Sequence, residues 1–204
     1  MKHIIFPLYL ILCLLLSACG ARKQSSSPES EGDTLTLKYA KNLCIVKYND
    51  YTLATLRNPW DTTKVLRTYI LTDKSKPQPS SLPQGTLVQV PLSRSLVYSS
   101  VHCSLLDELE AVNQIKGICD LSYISIPSIQ EGCRSGKITD AGNSMSPDIE
   151  KIIDMHPDAI LLSPYENSNG YGRIEKLNIP IIECADYMET SPLGRAEWMR
   201  FFGL

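Results

Sequence analysis

The 204-residue sequence predicts an α/β protein, a parallel sheet with helices on both faces, together with a small N-terminal antiparallel β segment. Three observations carry that expectation. From residue 86 onward, short apolar runs alternate with stretches whose apolar residues recur every three or four positions, the rhythm of strand and helix in turn. Between residues 35 and 72, β-branched and aromatic residues dominate instead, broken by Asn49-Asp50. The segment "DKSKPQPSSLPQG" separates the two regions, and its prolines, serines and glycine oppose regular structure.

The chain starts with a short basic lead, Met1-Lys2-His3, followed by an apolar run over residues 4–16. That run is shorter than the roughly 20 residues a membrane span needs and ends in small residues, so residues 1–18 read as a signal peptide. Leu16-Ser17-Ala18-Cys19 resembles the bacterial lipobox, in which the cysteine becomes the lipid-modified N-terminus after cleavage. Residues 19–34, rich in Ser, Gly, Glu and Pro, have little to bury and are expected to be a lipid-anchored tether. The expectation is an exported protein that touches a bacterial membrane only through its lipid, facing the periplasm or the cell exterior.

In residues 35–72, "LCIVKYNDYTLATLRN" predicts a hairpin turning at Asn49-Asp50, and "VLRTYILT" supplies another strand. An α/β lobe is expected over residues 86–188. Its first strand is "TLVQVPL"; Val97, Val101, Leu105, Leu109 and Val112 then make a helical face that ends near Gly117. "GICDL" is the second strand, a helix over residues 128–134 follows, and "KITDAG" is the third strand. Ser146-Pro147-Asp148 opens the next helix, with Ser146 as its cap and Ile149, Ile152 and Ile153 as its buried face. "DAILLS" is the fourth strand, a helix covers residues 173–177, and "IPIIEC" is the fifth strand. In residues 189–204, Ser191-Pro192 opens a last helix carrying Leu193, Ala196, Trp198, Phe201 and Phe202.

Composition excludes several functions. A formal charge of −2 gives no electrostatic case for nucleic acid. Of seven cysteines, Cys13 leaves with the signal and Cys19 takes lipid. Cys44, Cys103, Cys119, Cys133 and Cys184 form no C-x-x-C pair and are expected to be buried free thiols. Only His102 and His156 remain beyond the signal, too few for a histidine metal site, and no cofactor is expected. No nucleophile is flanked by a base at a recognisable spacing. Ser99-Ser100 before His102 read as a helix start, and "GNSMS" lacks the phosphate-cradling glycine spacing and its lysine. The chain is therefore not expected to be an enzyme.

Parallel sheets bind ligands on the loops leaving the carboxyl ends of their strands. Those loops carry Arg94, Ser95 and Tyr98, then Tyr123, then Asn143 and Met145, then Tyr165 and Glu166 with Tyr171 beyond. Tyrosine recurs in three of the four, where a ring offers apolar contact and a hydroxyl gives direction. These residues, Arg94, Ser95, Tyr98, Tyr123, Asn143, Met145, Tyr165 and Glu166, are the candidate ligand site.

Two stretches carry a resemblance. "GNSMSPDIEKIIDMHPDAILLSPYE" resembles the part of substrate-binding lipoproteins of ABC importers for cobalamin, haem or iron-siderophores where a glycine-containing loop precedes a Pro-x-x-Glu-x-Ile helix. "YMETSPLGRAEWMRFFGL" is similar to the entry into the single long helix that joins their two lobes. The resemblance runs over residues 86–204 and leaves residues 35–72 outside it. It implies two α/β lobes with the ligand in the cleft between them, a metal chelate as solute and an ABC permease as partner. It also implies that Glu150, at the Pro-x-x-Glu position, docks on a permease arginine. Residues 189–204 would then begin the interlobe helix, and the chain would be a truncated N-terminal lobe. Catecholate siderophores would reward Arg94, Arg134 or Arg173, haem an axial Tyr98, Tyr123 or Tyr165, and cobalamin aromatic walls. The competing class is a structural or protein-interaction lipoprotein with a single α/β lobe and no transport role.

Overall fold

The computed structural model describes residues 32–166 and 170–204. The signal peptide, most of the tether and Cys19 lie outside the described residues. The Tyr48 N–H donates to the Tyr51 carbonyl at 2.9 Å, closing the turn over Asn49-Asp50 that the sequence predicts. Strands β2 (Leu43–Lys47) and β3 (Thr52–Arg57) leave this turn as an antiparallel pair. At one edge β1 (Asp33–Thr34), from residues expected to be tether, pairs with β2; at the other, β4 (Val65–Asp73) pairs with β3.

The first correction concerns β5 (Thr86–Val90). It pairs parallel to β4 and completes a five-stranded sheet in the order β1-β2-β3-β4-β5, so it does not open the parallel sheet. Residues 74–85, the proline- and serine-rich segment, supply the roughly dozen-residue crossover that parallel pairing requires. The segment is a connection within one sheet and not a boundary between two units.

The second sheet begins with β6 (Ser95–Val97), followed by β7 (Ile115–Ile118) and β8 (Thr139–Asp140). A small hairpin of β9 (Gly142–Asn143) and β10 (Ser146–Pro147) precedes β11 (Ala159–Leu162) and β12 (Ile181–Glu183). The order is β12-β11-β6-β7-β8, and every neighbouring pair is parallel.

Helix α1 (Ser100–Glu108) starts where its cap dictates, with the Ser99 hydroxyl accepting the Val101 N–H at 3.2 Å. Its buried residues are His102, Cys103 and Leu106, while Val97 belongs to β6 and Val101 is exposed. The expected face was out of phase because a strand occupies the positions it began from. Helix α2 (Pro127–Arg134) follows the prediction closely. Helix α3 (Ile149–Met155) is capped by Asp148, which accepts the Lys151 N–H at 3.1 Å; Ser146, the expected cap, is in β10. Ile149, Ile152 and Met155 face inward, and Ile153 turns out at 49% exposure. Residues Gly172–Leu177 form 3-10 turns.

Alternation along the strands divides the core. Leu96, Ile160 and Leu162 pack with Ile149, Ile152 and Met155 of α3 on one side of the parallel sheet. Val97, Ile115, Leu161 and Ile182 join Ile45, Leu56, Tyr69 and Val88 of the first sheet in a second cluster. Cys103, Cys119 and Cys184 are buried thiols, Cys133 is half-buried and Cys44 is exposed, contrary to the expectation for that residue. Burial pushes the Cys103 and Cys119 thiols up to about 12, which suppresses thiolate chemistry.

The closing segment forms two short helices, α4 (Pro192–Glu197) and α5 (Met199–Phe202). Its aromatic stripe is not left waiting for a partner. Trp198 is fully buried and Phe201 nearly so, both in the cluster that includes the first sheet. Glu197 accepts the backbone N–H groups of Lys38, Tyr39 and Ala40 at 2.6–2.8 Å. Glu189 accepts those of Lys41 and Asn42 at 2.9–3.1 Å. Desolvation opposes ionisation of Glu197, but the N–H groups of Ala40, Lys38 and Tyr39 outweigh it and hold the carboxyl below its ordinary range. Two carboxylates thus clasp five successive backbone donors.

Candidate functional site

The first strand of the parallel sheet, β6, lies at its centre. The chain moves from it to β7 and β8 on one side, then crosses back to β11 and β12 on the other. The connections leaving β6 and β11 therefore run in opposite directions, and a crevice opens outside their carboxyl ends. A cavity of about 470 Å³ occupies this position. Tyr98 and Ser99 reach it from the end of β6, Leu162, Ser163 and Tyr165 from β11, and Met145 from the tip of the β9–β10 hairpin. Residues 170–174 close one side.

Tyr98 supplies the most informative group. Its N–H donates to the Leu161 carbonyl at 3.0 Å, which fixes the backbone between the two central strands. Its hydroxyl is buried and has no hydrogen-bond partner among the described residues. Burial, with the Cys119 thiol nearby, drives its ionisation well above the ordinary phenol range, so the group is a neutral phenol. A hydroxyl buried without a partner costs free energy, and with no accessible surface it is not itself presented to the cavity that Tyr98 lines. Met145 and Tyr165, at 84% and 52% exposure, form the outer rim.

Of the residues expected at the site, Tyr98, Met145 and Tyr165 line this cavity together. Tyr123 stands apart on the turn Leu121–Tyr123 after β7, 78% exposed. Asn143 spends its side-chain oxygen inside the hairpin, accepting the Met145 N–H at 2.8 Å. Glu166 is exposed beside Tyr165 without lining the cavity.

Arg94 and Ser95 lie at the opposite end of the sheet. Because "SLV" is itself the first parallel strand, they mark its amino end. Arg94 donates through Nε to the His156 carbonyl at 3.1 Å and through Nη2 to the Met155 carbonyl, capping the carboxyl end of α3, where a cation complements the helix dipole. Ser95 is buried and donates to the Gln114 carbonyl at 2.9 Å. Both are structural here.

Tyr171 and Arg173 line the cavity although the candidate set omitted them. Tyr171 shares the loop "PYENSNGYG" with Tyr165, and Gly170 and Gly172, at φ +98° and +64°, permit the backbone that brings it round. Glu150 occupies the first turn of α3 as expected, with its side chain in solvent. Its Oε1 lies 3.8 Å from Nη2 of Arg173, an exposed pair with little hold on either side chain.

No family model matches the chain. It is 29% identical to an uncharacterized lipoprotein of Methanocaldococcus jannaschii, over 94% of this chain and 55% of that protein. A second, uncharacterized protein of the same organism is 27% identical over 56% of this chain and 36% of its own length. The chain thus spans about half, or less, of the length of the curated relatives it matches. Among solved structures, the periplasmic vitamin B12 binding protein BtuF of Vibrio cholerae aligns over 54% of this chain and 47% of its own, at 13% identity and a TM-score of 0.37.

Proposed function

We propose that the chain is one lobe of a lipid-anchored solute-binding protein of the ABC-importer type, delivering a metal chelate (iron-siderophore, haem or cobalamin) to a permease. The observation that carries this reading is the cavity at the carboxyl ends of β6 and β11, walled by Tyr98, Tyr165 and Tyr171. Its size is in the range of small-molecule sites. Its walls favour binding over catalysis: the described lining residues include serines but no histidine, aspartate or glutamate to activate one. The Pro-x-x-Glu helix beside it and the lipoprotein name of one relative support the same reading.

The test is calorimetric titration of the protein with haemin, cyanocobalamin and a ferric tris-catecholate in turn. At least one should bind saturably. Tyr98→Ala and Tyr165→Ala should each weaken that binding by roughly 1–3 kcal/mol, the worth of an aromatic anchor. Tyr123→Ala, outside the cavity, serves as the control and should change it little. Binding of none of the three, or equal losses at Tyr123, would turn the choice toward a protein-interaction role.

Glu150 is proposed as a docking residue. Its carboxylate is exposed near the cavity rim, so Glu150→Gln should leave solute affinity and thermal stability unchanged while reducing association with the cognate permease. Glu150→Arg should reduce it further through like-charge repulsion. Lost solute binding with normal permease association would remove the docking role. The anchor is proposed at Cys19, whose thiol would take the diacylglyceryl group. Cys19→Ser should move the protein from the membrane to the soluble fraction, and unchanged fractionation would refute lipidation.

A further inference from the structure

Tyr171 lines the binding cavity and also a second, shallower cleft of about 400 Å³ that it shares with Arg67 and Glu183. Its hydroxyl donates to Oε1 of Glu183 at 2.8 Å. Glu183 ends β12 and is only 3% exposed. The cation facing it comes from the first sheet: Arg67 of β4 donates through Nη2 to the same Oε1 at 3.1 Å, and its Nε lies 2.9 Å from Oε2. Two residues further along β4, the Tyr69 hydroxyl accepts the Glu183 N–H at 2.7 Å. One strand of the first sheet therefore grips both the backbone and the carboxylate of Glu183. A carboxylate this deeply buried is tolerated only while its cation stays in place.

We infer that the first sheet sets one wall of the cavity, with Arg67 and Glu183 as positioning residues that hold Tyr171 by its hydroxyl. The consequence for affinity rests on the cavity being a binding site; the orientation of Tyr171 does not. Tyr171 has committed its hydroxyl to Glu183 and offers a ligand its ring. A solute with an apolar or aromatic face toward residue 171 suits that arrangement. Preorganising a ring in this way raises affinity by sparing the ligand the cost of ordering it.

Arg67→Met, Tyr171→Phe and the double variant are titrated with haemin, cyanocobalamin and the ferric catecholate. Each single variant should weaken the probe that binds the wild-type protein by roughly two- to tenfold, the worth of one hydrogen bond. The double variant should lose no more than the weaker-binding single variant, because Arg67 acts through Tyr171. Fully additive losses would overturn the inference. A second readout needs no ligand: carbon-13 ring resonances of labelled tyrosine, with Tyr171 assigned from its absence in Tyr171→Phe. They should move in Arg67→Met. Should that variant fail to fold, Glu183→Gln, which keeps the side-chain shape, should move them likewise. Stationary Tyr171 resonances overturn the positioning role whatever the titrations show. If no probe binds the wild type and the resonances move, the solute-binding reading fails and the positioning role stands.

Discussion

Trp198→Ala should lower the unfolding free energy by about 3–5 kcal/mol, the cost of truncating a large aromatic side chain in a core that only partly collapses. Trp198 has no exposed surface, and its ring meets that of Phe201 edge-on at 5.7 Å between centroids. Phe201 in turn lies 6.1 Å from Tyr69 of β4. The substitution removes the ring that packs against Phe201, which in turn meets the first sheet. It also removes the indole N–H that donates to Glu189 at 3.1 Å. Leu193→Ala, on the exposed side of α4, should change stability by no more than about 0.5 kcal/mol. Urea denaturation of both variants checks the pair. Similar midpoints would mean that the closing helices contribute nothing to the cooperative core.

Glu189→Ala should be of similar severity. Glu189 is buried and accepts from the Asn42 N–H at 2.9 Å, from the Lys41 N–H at 3.1 Å and from the Trp198 indole at 3.1 Å. Each donor left without a partner costs about 1–3 kcal/mol, and the losses overlap, so a total near 3–5 kcal/mol is expected. Glu189→Gln should fall between, since an amide keeps one acceptor but turns an NH2 group toward donors. Amide exchange at residues 41 and 42 should accelerate in both variants, and protection equal to wild type would contradict the assigned partners. Combined with Trp198→Ala, the Glu189→Ala loss should shrink, because the two residues share a hydrogen bond.

Legibility in the sequence followed how local each determinant was. The hairpin at Asn49-Asp50 and the strands over residues 159–162 and 181–183 were readable, because turn chemistry and short apolar runs are local signals, whereas the strand expected at residues 117–121 lies over 115–118 and starts within the expected helix. The sheet to which β5 belongs was not: "TLVQVPL" suits either sheet, and only its pairing with β4 decides. That single misplacement moved Arg94 and Ser95 to the wrong end of the lobe. Tyr98 and Tyr165 escaped the error because each follows the carboxyl end of a strand under either reading, and the structure makes those strands neighbours. The acids that tie distant segments together were least visible. Glu183, Glu189 and Glu197 look like ordinary solvated charges in sequence, since each has partners more than 110 positions away.

The clasp of residues 38–42 by Glu189 and Glu197 sets an order of events in folding. These contacts close loops of 147 to 159 residues, and loop entropy grows as the logarithm of that length, about 4 kcal/mol beyond its constant. Such a contact is rewarded only after most of the intervening chain has condensed. During synthesis the hairpin of β2 and β3 emerges early, yet its neighbouring loop finds its acceptors only when residues 189–197 arrive. Five backbone donors stay solvated until then. The N-terminal sheet is thus first to be made and among the last to be locked, so the cavity wall it supports through Arg67 matures late.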